Sequence, residues 1–106
     1  MLQDNTTQQL KTLETSYLKW RSFSLNDRIE VLKRIKENLL LSKEKYAHCI
    51  TTDMNKPIKL ALAEVEKCAY LCDYYIENAG HFLENQEIKT GFSSSYITFR
   101  PLGVLL

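Results

Sequence analysis

The chain has 106 residues, 44% hydrophobic, 25% charged and 10% aromatic, with 14 Lys and Arg against 13 Asp and Glu and a formal net charge of +1. This size and composition fit one folded globular segment with a single core and exclude intrinsic disorder. With the basic residues scattered and no net basic excess, a nucleic-acid partner is not expected, because little would offset a phosphate backbone.

The opening stretch MLQDNTTQQ is polar and carries an acid early. It lacks the basic start and apolar run of a secretory signal. Aliphatic runs such as Leu39-Leu40-Leu41 are far short of a membrane span. A cytoplasmic protein with no membrane partner is therefore expected, with Cys49, Cys68 and Cys72 as reduced thiols. Leu10, Leu13, Tyr17 and Trp20 recur at three- and four-residue steps and predict a first helix, with Asp4 or Asn5 as its cap.

Ser24 opens a second helix, with Asp27 completing a weak capping box. Leu25, Ile29, Leu32, Ile35 and Leu39 form its buried stripe, and Glu30 and Arg34 are spaced to pair on its outer face. Ser42 is positioned to cap a third, shorter helix carrying Tyr46, Ala47, Ile50 and Met54. Asn55 suits a left-handed helix end because its short amide tolerates positive φ. Pro57 suits the first turn of the next helix, where its missing N–H costs nothing.

The fourth helix is predicted over about 57–79. One row is Ala61, Val65, Cys68, Cys72, Tyr75 and Ala79; a second is Leu62, Ala69, Ile76 and Leu83. Two rows make a wide apolar face that packs against more than one neighbour. Gly80 is the expected stop. NQEIKTGFSSS then reads as a connector. In SYITFR, Tyr96, Thr98 and Arg100 alternate with Ile97 and Phe99, which is strand periodicity. Pro101 and Gly103 bend the chain into a second apolar strand at Val104-Leu105-Leu106.

The candidate chemistry is sparse. Cys68 and Cys72 share a helix face, but a tetrahedral metal site needs about four ligands and the spacing is not Cys-x-x-Cys. They read as small, inert core residues. His48 and His81 have no nucleophile at recognisable spacing, and His81 suits a helix C-terminal dipole partner. Gly80, Gly91 and Gly103 are too far apart to build a phosphate cradle. Tyr70, Tyr74 and Tyr75 form either a binding patch or half-buried packing.

Four pieces in order, LKWRSFSLNDRIEVLKRIKENL, TTDMNKP, ALAEVEKCAYLCDYYIENA and SYITFRPLGV, resemble the N-terminal part of the aldehyde dehydrogenase superfamily. AEVEKCAYLCDYY and RPLGVLL look most like its succinate-semialdehyde dehydrogenase branch. The resemblance implies an α/β enzyme fold overall, of which this segment is mostly helical, with about four helices and a C-terminal strand or hairpin. It implies that residues 1–94 are the helical N-terminal part of the cofactor-binding domain and that 95–106 begin the bridging strands that make subunit contacts.

In the family a Cys thiolate attacks an aldehyde, hydride passes to NAD or NADP, and a Glu helps water release the acid. The nucleophile, that Glu and the nucleotide-binding core are expected beyond residue 106. None of the three cysteines matches the nucleophile, so no catalytic or cofactor-binding residue is assigned here and the segment alone is expected to be inactive and to bind no cofactor. The family usually has Gly where Asn55 stands, carries short strands before the first helix, and continues from PLGV into a Pro-Trp-Asn segment. Asp53 matches a position near a monovalent cation site in some relatives. The expected partners are the rest of a dehydrogenase chain and, through residues 95–106, further copies. The apolar ending Val104-Leu105-Leu106 reads as the start of a strand that enters a larger sheet. The alternative is a stand-alone helical protein-interaction module.

Overall fold

A computed structural model describes residues 2–105, with side-chain surroundings from Asn5 onward. Four helices come first: α1 Leu2–Arg21, α2 Leu25–Leu41, α3 Lys43–Met54 and α4 Ile58–Phe82. Two short strands follow, β1 Gln86–Glu87 and β2 Tyr96–Ile97, paired antiparallel with Gln86 opposite Ile97 and Glu87 opposite Tyr96. The chain divides into two compact units. One runs through Leu25 and resumes at Leu83; the other is Asn26–Phe82.

In the first unit α1 already includes Asp4 and Asn5, so neither is the residue just outside the helix that a cap requires. Tyr17 is the half-buried member of the predicted face, while Leu10, Leu13 and Trp20 remain exposed. The Tyr17 hydroxyl reaches the Pro101 carbonyl at 3.5 Å, and the Trp20 and Phe23 rings lie 5.6 Å apart. The β1–β2 hairpin is extended by the Ile88 N–H donating to the Ser95 carbonyl at 2.9 Å. Its loop is braced by the Thr90 and Ser95 hydroxyls at 2.6 Å. The hairpin thus pairs Tyr96–Ile97 with a piece of the expected connector. Residues 98–105 form no regular strand, and Leu106 lies outside the described residues. Gly103 adopts φ +118°, a region open to glycine because it has no Cβ.

In the second unit α3 packs on α4, and the buried residues are Ala47 from α3 and Ala61, Val65 and Ala69 from α4. Ile29, Leu32 and Leu39 of α2 lie on the predicted stripe but are half-buried, as is Leu25 at the end of the first unit, while Ile35 is exposed and no residue of α2 is fully buried. Glu30 pairs with Lys33 at 2.5 Å, one turn on, rather than with Arg34. Ser42 sits at the N-cap of α3 but makes no side-chain capping bond. Its carbonyl accepts from Tyr46 N–H instead.

Asn55 ends α3 in the left-handed region, φ 56° and ψ 26°, with its N–H on the Thr51 carbonyl, as its side chain suggests. Pro57 stands just before α4, and its carbonyl accepts from Leu60 and Ala61. Asn55→Val is expected to destabilise the chain by about 1–2 kcal/mol, because a β-branched residue resists positive φ, while Asn55→Gly stays near neutral; urea unfolding followed by circular dichroism separates them.

Gly80 does not stop α4, which runs on to Phe82. The helix-terminating role fails because Gly80 keeps helical backbone with no positive φ. No atom lies within 4 Å of where a Cβ would stand. Gly80→Ala is therefore expected to stabilise the fold by about 0.5–1 kcal/mol, seen as a raised melting temperature.

The buried face of α4 is rotated from the expected one. Ala69 is buried while Cys68 and Tyr75 are exposed, and Leu62, Cys72, Ile76 and Ala79 are half-buried. At about 100° per residue, Ala61, Val65, Ala69, Cys72, Ile76 and Ala79 fall within one narrow arc. Cys68 and Tyr75 flank it.

Candidate functional site

Asp53 lies in the last turn of α3, exposed. With Lys45, His48, Cys49 and Thr52 it lines a shallow depression. The Thr52 hydroxyl donates to the His48 carbonyl at 2.9 Å and stands 3.2 Å from His48 Nδ1. Among the described residues no group of three or more His, Cys, Asp or Glu is placed to hold a metal ion. Further ligands of a cation at Asp53 would have to come from outside this set.

The thiols are not core residues. Cys49 and Cys68 are exposed, Cys72 is half-buried, and all three are free. The burial expected of Cys68 and Cys72 fails at exposed Cys68 and is met in part at half-buried Cys72, which lies on the arc of α4 that carries Ala61, Val65 and Ala69. His81 is in the last turn of α4, where a cation complements the helix dipole, and its ring lies 6.2 Å from Phe82.

Ion pairs tie the second unit together. Lys36 of α2 binds Asp73 of α4 at 2.6 Å, and Lys43 of α3 binds Glu66 of α4 at 2.9 Å. Lys56, in the turn before α4, pairs with Glu64. The hydrogen bond and the charge of Glu66 hold the Lys43 ammonium above its ordinary pKa. A raised folded value means the pair's contribution is complete below the unfolded lysine pKa of about 10.4 and is lost as pH rises through the folded value. The stability difference between wild type and Glu66→Gln is therefore expected to stay constant from neutral pH to about 9 and to narrow above about 10.4, measured by thermal unfolding.

What the second unit chiefly presents is uncovered apolar surface. Tyr70 is 71% exposed, and Leu60, Leu71, Tyr74 and Tyr75 are exposed with it. Tyr74 packs edge-on against Tyr75 at 5.5 Å and lies 6.0 Å from Phe82. Leu60, Leu71 and Tyr74 follow helical spacing and mark a second face of α4 that neither predicted row contains. The step of about three turns from Leu60 to Leu71, with Tyr74 just under one turn further on, was the available signal. Two buried polar atoms in this unit, Arg28 Nε and Thr51 Oγ1, lack a hydrogen-bond partner, a state that costs about 1–3 kcal/mol each. In the first unit Leu102, Leu105 and Phe92 are the most exposed large apolar residues. Among the described residues no helix is long and apolar enough to cross a membrane.

A helical segment with a short hairpin and wide apolar faces is suited to packing within something larger. The aldehyde dehydrogenase family model matches residues 3–106, and the chain belongs to that family. It corresponds to the N-terminal part of succinate-semialdehyde dehydrogenases, and nothing in these matches favours an independent interaction module. It is 34% identical over 103 residues to the succinate semialdehyde dehydrogenase (NAD(P)+) Sad of Escherichia coli strain K12, covering 97% of this chain and 22% of that protein. It is 31% identical over 98 residues to a probable succinate-semialdehyde dehydrogenase (NADP+) of Synechocystis, covering 92% and 22% respectively. The crystal structure of succinic semialdehyde dehydrogenase from Streptococcus pyogenes in complex with NADP+ superposes with a TM-score of 0.78 at 32% identity, over 84% of this chain and 20% of that one. The chain thus spans about a fifth of the length of the relatives it matches.

Proposed function

We propose that this chain is the N-terminal, non-catalytic part of an NAD(P)-dependent aldehyde dehydrogenase that oxidises a semialdehyde of the succinate-semialdehyde class to the carboxylic acid. The observation that carries this reading is the match over 97% of the chain to only 22% of an enzyme named for that substrate. The relatives' names, which specify NADP+ or NAD(P)+, support the same cofactor class for the longer enzyme; the segment alone binds none. Residues 1–94 serve as the helical N-terminal part of the cofactor-binding domain. Residues 95–106 begin the bridging strands and carry contacts to further copies. The rest of a dehydrogenase chain covers the exposed face of α4 and satisfies Arg28 and Thr51. Asp53 contributes one oxygen ligand to a monovalent cation in that assembly, and the enzyme works in the cytoplasm.

Two measurements test the reading. The 106-residue chain incubated with succinate semialdehyde and NADP+ is expected to produce no NADPH. A chimera in which it replaces the 103 matching residues of the Escherichia coli enzyme is expected to fold and retain turnover. Turnover by the chain alone, or a soluble, folded chimera without activity, would contradict the proposal.

A further inference from the structure

We draw no further inference here: the strongest candidate, the exposed apolar face of α4 at Leu60, Leu71 and Tyr74, carries none, because nothing in the structure shows what covers it.

Discussion

Replacing Ala47 or Ala61 with Leu is expected to lower the stability of the Asn26–Phe82 unit by about 1–3 kcal/mol each, through overpacking. Both alanines are fully buried, on two helices packed against each other. Alanine leaves room for close backbone approach; a leucine there must either adopt a poor rotamer or push α3 off α4. The control is Ala63→Leu, two residues along α4 and exposed, where the change is expected to stay within about 0.5 kcal/mol. For a unit of this size, 1 kcal/mol corresponds to a melting shift of about 4–8 °C, so thermal unfolding resolves the difference. Equal effects at Ala61 and Ala63 would show that the α3–α4 contact is not the centre of the core.

The double variant Leu102→Ser with Leu105→Ser is expected to abolish self-association of the chain. Leu102 is 91% exposed and Leu105 80% exposed. Fully burying one leucine contributes about 1.5–3 kcal/mol. Covering both in a contact between copies is therefore worth about two to four powers of ten in the association constant. Sedimentation equilibrium at tens of micromolar is the measurement. Self-associated wild type and monomeric variant are the expected pair, and a strictly monomeric wild type would remove residues 95–106 from the proposed subunit contact.

Much of the helical framework was legible because local signals coincide with periodicity. Asn55 predicted the left-handed end of α3, because its side chain tolerates what most residues resist. The stripe of α2 was readable from spacing except at exposed Ile35, whereas the alternation located β2 without giving it a buried face, since Tyr96 and Ile97 are both exposed. Gly80 misled, since glycine permits a helix end without compelling one, and α4 retains its hydrogen bonding through Phe82. Ser42 misled similarly: a hydroxyl at the N-cap position does not ensure the capping bond. Glu30 had two cations within reach, and spacing alone could not choose Lys33 over Arg34.

The sequence by itself determined the four helices, the turn at Asn55 and Pro57, the family to which the chain belongs, and the lack of a recognisable nucleophile–base motif. These follow from short-range rules, backbone preference and residue order, that hold whatever the neighbours. Only the tertiary structure decided which face of α4 is buried, that Cys68 stands outside the core, and that β2 pairs with Gln86–Glu87. The reason is that α4 is apolar around most of its circumference. Periodicity restricts such a helix to several nearly equivalent orientations, and the small residues Ala47, Ala61 and Ala69 select one by allowing the closest approach.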